Sequence, residues 1–437
     1  MKTYIKQLAF LVLLTLFFSC GNDDDAFINK NPEEFNVTAT ADIKGLGIHI
    51  AWDISKDPNG DFVTYDIIVN SIRVAENLTT LSHSFLASAY NTIASGRVVA
   101  KDGKGGERNV PFTIVSSSLV HIPDPNFEAF LVATNIDQDG QINGQMNYQF
   151  PLEITILDIG TTLLNVNDLF TDLTGIEAFA NLTYFNCSHL PITKLDLGRN
   201  TKLESLVCSN TNLTSLDLRS NGNLKFFTGI ANNKLTAIDF SKNLGLTEIN
   251  LEGNGLLAAL DVTENKALTQ LNCGGTILTE LNITQNIALT ELNCGGTRIT
   301  TIDLTKNTKL ETLYCYESTF TSLDLSNNLL LETLVCAVNN ITSLDVTANV
   351  NLKSLVCGQN NISVQDLTQN SVLEKLFCNS NELTSLNIKN GNSQNIIDFS
   401  AKNNTSLTSI CIDVLVPVNP ILASGVDTGV SFSTICN

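Results

Sequence analysis

Leu331-Glu332-Thr333-Leu334-Val335-Cys336-Ala337-Val338-Asn339-Asn340-Ile341-Thr342-Ser343-Leu344-Asp345-Val346-Thr347-Ala348-Asn349-Val350-Asn351 is one period of a repeat. Its first residue recurs as Leu182, Leu203, Leu224, Leu246, Leu268, Leu289, Leu310, Leu331, Leu352 and Leu373. The interval is 21 residues, stretched to 22 only between Leu224 and Leu246 and between Leu246 and Leu268. A fixed short period of this kind marks a solenoid. One coil cannot bury its apolar face alone, so stacking coils makes the core. Leucine-type residues at positions 1, 4, 6, 11, 14 and 16 of the unit are expected to point inward. Ten coils at roughly 4.8 Å each give a rod about 50 Å long.

Position 6 carries Cys187, Cys208, Cys273, Cys294, Cys315, Cys336, Cys357 and Cys378, interrupted by Gly229 and Leu251. A free thiol behaves as a small buried hydrophobe, and Leu251 shows that the position asks for an apolar group. Neighbouring parallel strands do not readily supply the torsion a disulfide needs. The column is therefore expected to hold free, buried thiols. Position 9 carries Asn232, Asn254, Asn339, Asn360 and Asn381, with Thr211, Thr276, Thr297 and Ser318 elsewhere. Position 19 carries Asn at 200, 221, 243, 265, 286, 307, 328, 349 and 370. Amides that turn inward at these places can satisfy loop backbone otherwise buried without partners.

The unit L-x-x-L-x-C-x-x-N-x-L resembles the leucine-rich repeat. The whole is similar to the 21-residue bacterial class of that family, common in surface proteins of Bacteroidetes. The resemblance covers about half the chain. It implies a mainly β fold: a leucine-rich-repeat solenoid of about ten 21–22-residue coils in parallel β, spanning residues 181–410, that binds rather than catalyses. Relatives with this repeat often continue into a secretion-sorting domain; the chain reaches Asn437 without one, which fits a lipid anchor.

Two outward columns are candidates for binding. Position 15 is acidic: Asp196, Asp217, Asp239, Asp261, Asp303, Asp324, Asp345 and Asp366, interrupted by Asn282 and Asn387. Charges stacked at this spacing repel, so neighbouring hydroxyls or backbone N–H groups should offset them. The column is either a hydrogen-bonded ladder that closes a turn or a site for cations or a basic partner. Positions 5 and 7 flank the inward cysteine. They are small or polar in the early coils and become Tyr314, Tyr316, Val335, Val356 and Phe377 later. An apolar stripe on a wet face marks an interaction surface, and aromatic residues are favoured as hot spots. Packing against a flanking loop would also account for the stripe.

Residues 118–180 should cap the solenoid, whose first coil would otherwise expose an apolar end. Asp124-Pro125 opens a short helix to Ala133, with Asp124 as N-cap and Pro125 in the first turn. Asn135-Ile136-Asp137-Gln138-Asp139-Gly140 has the spacing of an EF-hand loop's first half, which makes Asp137 and Asp139 a weak Ca²⁺ candidate. Position twelve of that loop is Met146, not the bidentate Glu, so a plain turn is the competing account. At the other end, residues 411–437 form a C-terminal cap. Cys411 and Cys436 lie outside the buried column, and an oxidising compartment favours bridging them.

Residues 30–117 read as short alternating strands with turns between: 35–39, 47–52, 63–69, 83–85 and 96–100. Such a series suggests a small β-sandwich. Around Trp52, Tyr65 and Arg97–Asp102 it resembles a fibronectin type III or similar immunoglobulin-like domain, which would serve as a spacer. Asp57, Asn59 and Asp61 form a polar turn there, with contact to Ca²⁺ as the competing account.

The first residues are an address. Lys2 and Lys6 precede the apolar run 8–18, which is too short to span a membrane comfortably. Leu16-Phe17-Phe18-Ser19-Cys20 resembles a lipobox, with residues 1–19 as signal peptide and Cys20 as the lipidated residue. The acidic run after it, within a tether over 20–29, resembles the export tag of Bacteroidetes lipoproteins. The expected location is the outer membrane, lipid-anchored and facing outside the cell.

Composition narrows the function. The net charge of −19 argues against nucleic acid, which needs clustered Lys and Arg. It also argues against an electrostatic hold on anionic lipid. The four His are scattered, and no nucleophile elbow, zinc-protease motif or phosphate loop occurs. The expected protein is a monomeric surface binder for an unknown protein or glycan ligand, without a cofactor and not an enzyme. The protein-binding reading is adhesion through the solenoid; the glycan reading is a lipoprotein of a polysaccharide-uptake system.

Overall fold

The computed structural model describes residues 28–43, 45–160, 169–415 and 417–436. Their contacts divide into one unit ending at Ser116 and another running from Ser117, with Ile43 and Gly45 counted in the second. The expected signal peptide, Cys20 and most of the tether lie outside the described residues.

Among the described residues the first unit has seven strands: β1 Val37–Ala41, β2 Gly47–Trp52, β3 Thr64–Val69, β4 Ile72–Leu78, β5 Ser82–Leu86, β6 Ile93–Lys101 and β7 Glu107–Val115. They form two antiparallel sheets, ordered β1-β2-β5 and β4-β3-β6-β7. Ile48, Ile50 and Trp52 from one sheet share a core with Tyr65, Ile67, Val98 and Ala100 from the other. The Trp52 and Tyr65 rings meet at 5.4 Å. Two strands were not expected from sequence. β4 is an edge strand that exposes nearly every residue, so it shows no inward apolar alternation. β7 contains Pro111, which cannot donate to a ladder; the strand tolerates it because it lies at a sheet edge.

The second unit opens with β8 Leu119–His121, helix α1 Pro125–Ala133 and β9 Gln145–Asn147, where β9 pairs with β8. Asp124 caps α1 by accepting from the N–H groups of Asn126 and Phe127. Then the solenoid begins. Its strands are β10 Ile156–Asp158, β11 Tyr184–Asn186, β12 Ser205–Val207, β13 Phe226–Thr228, β14 Glu248–Asn250, β15 Gln270–Asn272 and β16 Glu291–Asn293. It continues through β17 Thr312–Tyr314, β18 Thr333–Val335, β19 Ser354–Val356, β20 Val364–Asp366, β21 Lys375–Phe377, β22 Ser385–Asn387 and β23 Asp398–Ser400. β10 to β19, then β21 and β23, make one twelve-stranded parallel sheet with one strand per coil.

Ten of these strands are the ten leucine-started coils. β10 and β23 extend the sheet by one coil at each end, into stretches that lack the leucine–cysteine signature. Leu157 and Phe399 take the inward place there. A second parallel sheet, β20-β22 with β24 Ser409–Cys411 and β25 Ser431–Ser433, covers the other side of the last coils. No helix among the described residues is long and apolar enough to cross a membrane.

Stacking packs the thiols and satisfies the amide donors of the interior, while the Oδ1 of every position-19 Asn is buried without a partner. All eight column cysteines are free and buried, and burial pushes the thiols of Cys208, Cys294 and Cys357 up to about 12. Each position-19 Asn is fully buried and donates to two backbone carbonyls of the coil before; Asn307, for example, bonds Ile283 at 3.1 Å and Asn286 at 3.0 Å. The position-9 amides use both ends. Asn360 donates to the carbonyls of Cys336 and Cys357 and accepts from the N–H of Ile341. Position 8 adopts a left-handed backbone in coil after coil: His189, Asn210, Ala231, Gly253, Gly275, Gly296, Glu317, Val338, Gln359 and Ser380. There the chain leaves the strand, and its N–H donates to the next coil, as Val338 does to Gly358 at 3.0 Å.

Candidate binding surface

Each short strand buries its middle residue and turns the two beside it outward, so the twelve-stranded sheet presents continuous columns. Tyr314, Val335, Val356 and Phe377 stand in one of them, aligned residue for residue across β17, β18, β19 and β21. All four are half-buried. Four strands at ~4.8 Å make this stripe about 15 Å long. Thr312, Thr333 and Ser354 border it on the same strands. Tyr316 lies just past β17, its ring over Gly295 of the preceding coil: a Cβ on Gly295 would come within 2.7 Å of it. The glycine therefore makes the seat for the ring.

Toward the N-terminal end the same face is polar. Phe226 is 41% exposed. A shallow cleft of about 170 Å³ runs past it, lined by Glu248, Asn250, Gln270, Asn272 and Glu291. Position 5, with Asn250 and Asn272, was expected to face outward and be polar here; the position-3 residues Glu248, Gln270 and Glu291 were not singled out from sequence. The signal was available in the two-residue alternation, but polar side chains on a wet face look like ordinary surface.

The acidic column sits elsewhere on the coil, and its Asp residues are all exposed. Each Oδ1 accepts the N–H two residues on. The pairs include Asp196 with Gly198, Asp303 with Thr305, Asp324 with Ser326 and Asp366 with Thr368. In Asp261, Asp303, Asp324 and Asp345 a Thr or Ser hydroxyl also donates, and together these bonds hold the carboxyls below the usual range. The Arg219 side chain, helped by its backbone N–H, holds Asp217 at about 2, and the N–H of Ser241 lowers Asp239. Asn282 and Asn387 accept the same backbone bond.

In the cap, Asp137 is buried while Asp139 is exposed. Asp137 Oδ1 accepts the Asp139 N–H, and Oδ2 has no partner. Burial, with the charges of Asp139 and Glu128 nearby, raises its carboxyl to about 6. Glu128 reaches across from α1 and accepts from the N–H groups of Asn143, Gly144 and Gln145. Met146 is fully buried and offers no ligand. No group of three or more His, Cys, Asp or Glu that could hold a metal occurs among the described residues. At the C-terminal end, Cys411 of β24 is disulfide-bonded to Cys436.

With this geometry in hand, comparison with known proteins places the architecture. No family model matches the chain, and no curated protein does. Among solved structures, the functional domain of InlJ from Listeria monocytogenes, described as including a cysteine ladder, is similar. It is 28% identical, with a TM-score of 0.51 over 67% of this chain and 75% of that one. An internalin, InlF, of the same species is 23% identical, with a TM-score of 0.50 over 72% of this chain and 96% of that one. A leucine-rich-repeat protein of Leptospira interrogans is 20% identical, with a TM-score of 0.47 over 61% and 85%. The chain thus carries a leucine-rich-repeat solenoid of the kind found in bacterial leucine-rich-repeat proteins, a binding module in the general sense.

Proposed function

We propose that the protein is a lipid-anchored lipoprotein of the outer membrane, monomeric and facing outside the cell, that binds a protein partner on the sheet face of its solenoid. The observation that carries this reading is the stripe Tyr314–Val335–Val356–Phe377, aligned across four coils and flanked by Tyr316. Rigid rings and branched side chains on a preorganised sheet lose little entropy on binding, the condition under which aromatic residues become hot spots. The two sheets of the small unit, ordered β1-β2-β5 and β4-β3-β6-β7, support reading it as a fibronectin type III-like spacer. Cys20, after the apolar run and before the acidic one, is the acylated residue in this reading.

The experiment measures capture of partner proteins from extract by intact cells carrying the wild type, Cys20→Ser, or the triple variant Tyr314→Ser/Tyr316→Ser/Phe377→Ser. The Cys20 variant should leave the cell surface. The triple variant should stay there and bind at least about 30-fold more weakly, the effect of losing one hot spot. Unchanged capture by the triple variant removes this face from consideration.

A second reading, glycan capture by a polysaccharide-uptake lipoprotein, is favoured by the cleft beside Phe226, where amides and carboxylates stand next to an open ring. Retained glycan-array binding by the triple variant, lost in Phe226→Ser, would select it.

A further inference from the structure

The position-14 column points inward, yet in part of the solenoid it is only half covered. Ile238, Leu260 and Ile302 are half-buried, as are Leu195 and Leu323, whereas Leu216 and Leu281 are buried and Leu344, Gln365 and Leu386 are 4%, 1% and 1% exposed. For Gln365 and Leu386, part of the cover comes from the way neighbouring coils meet on that side. Val364–Asp366 and Ser385–Asn387 pair as β20 and β22. Residues 237–239, 259–261, 280–282 and 301–303 make no such backbone bonds to one another among the described residues. Two sequence features distinguish this stretch. The two 22-residue coils, starting at Leu224 and Leu246, fall here. Ala237, Ala258 and Ala259 also stand where other coils carry larger side chains such as Thr, Ser or Glu. The result is a groove of about 800 Å³ whose floor is Ile238, Leu260, Leu281 and Ile302, within the size range of ligand pockets.

The rim is acidic. Asp239, Asp261, Asp303 and Glu280 line the groove, and no Lys or Arg does. The turn beneath each Asp needs only an acceptor oxygen, because Asn282 in the same column accepts the Thr284 N–H and hydroxyl in the same way. The turn can therefore keep its geometry without the negative charge, which surrounds an apolar floor.

We propose that this groove, on residues other than those of the sheet-face stripe, is a second binding site that takes an extended cationic peptide, its apolar side chains on the Ile238–Leu260–Ile302 floor and its Lys or Arg groups on the Asp rim. Four coils at ~4.8 Å match about five residues of extended chain at ~3.3 Å each. A charged rim over an apolar floor makes affinity fall with salt and makes charge alone insufficient.

The probe is a fluorescein-labelled Leu-Lys-Ala-Lys-Leu amide, with Leu-Glu-Ala-Glu-Leu and Ala-Lys-Ala-Lys-Ala as controls. Binding to the whole protein is followed by anisotropy at low and high salt. The Leu/Lys peptide should bind at least tenfold more tightly than either control and weaken at high salt. Asp239→Asn/Asp261→Asn/Asp303→Asn keeps every turn acceptor, so the protein should still melt in one cooperative step, a few degrees lower at most, while the peptide binds at least tenfold more weakly. Ala259→Arg should abolish binding by filling the groove with a cation. The Tyr314→Ser/Tyr316→Ser/Phe377→Ser variant should bind the peptide normally, which separates this site from the sheet face. Equal binding by the all-alanine Lys control, by the triple Asn variant or by Ala259→Arg, or no binding to wild type, overturns the proposal.

Discussion

Gly229 interrupts the cysteine column where the Phe227 ring, packed with Phe240, lies against it. Phe227 stands at position 4, where eight other coils carry Leu or Ile and the first carries Phe185 beside a retained Cys187; what sets Phe227 apart is that its ring packs edge-on against Phe240 at 5.1 Å. A Cβ on Gly229 would come within 2.9 Å of that ring, so the missing thiol and the extra ring are one adjustment of volume, as close packing requires. Gly229→Cys should destabilise by about 2 kcal/mol through overpacking. Phe227→Leu should cost about 1–2 kcal/mol through the void it leaves. Together they should cost less than their sum, with a coupling of at least about 1 kcal/mol. Denaturant melts of the four proteins check this, and strict additivity would refute the account. Sequence alone showed the gap at Gly229 but not its cause, since which aromatic ring fills a space depends on rotamers that no pattern carries. The left-handed column at position 8 was also not apparent. Only Gly253, Gly275 and Gly296 mark it by residue type, while Glu317 and Val338 hide it.

Among the elements, the repeating strands were the most legible, because one leucine column specifies the fold, the register and the inward face together. What escaped was held by other means. β4 and β7 are edges whose residues need not alternate. β20 and β22 occupy positions that stay unpaired in earlier coils. In the cap, α1 and its Asp124 N-cap were legible, but the bonds from Asp124 to the segment at Thr171 and Asp172 were not, because they follow no pattern. One carboxylate oxygen caps α1 through Asn126 and Phe127; the other accepts from the N–H groups of Thr171 and Asp172 and from the Thr171 hydroxyl. Burial alone would raise this carboxyl, but these backbone bonds outweigh it and hold it below the usual value. An acid depressed in the folded state stabilises above its unfolded value, near pH 4, and that stability is lost as the pH falls through the folded value. Asp124→Asn keeps an acceptor for the helix cap but turns an amide toward donors. It should cost about 2–3 kcal/mol at pH 7, with the gap to wild type narrowing as the pH drops below 4. A gap that stays constant down to pH 3 would mean that the charge contributes nothing to the cap.

At the scale of the whole molecule, the solenoid is one sheet in which each coil touches only its neighbours. Stability in such an array is a sum of coil and interface contributions, and opening starts at the ends. The cysteine column supplies a reporter in nearly every coil. Cys187 lies one coil in from β10 and Cys378 one coil in from β23, while Cys294 and Cys315 stand in the middle. All eight thiols are buried. Those of Cys187, Cys273, Cys315, Cys336 and Cys378 are pushed well above the ordinary thiol range by burial, so none should react at pH 8 unless its coil opens. The caps slow fraying without abolishing it, because the cap before β10 and the sheet β20-β22-β24-β25 each cover a single end. Alkylation in mild denaturant, read peptide by peptide by mass spectrometry, should therefore label Cys187 and Cys378 first and Cys294 and Cys315 at least tenfold more slowly. Reducing the Cys411–Cys436 bond should speed Cys378 and leave Cys187 unchanged, since closing that loop constrains only the C-terminal end. Equal rates along the column would show instead that the twelve coils open as one cooperative body, with interfaces strong enough that no end can part before the middle.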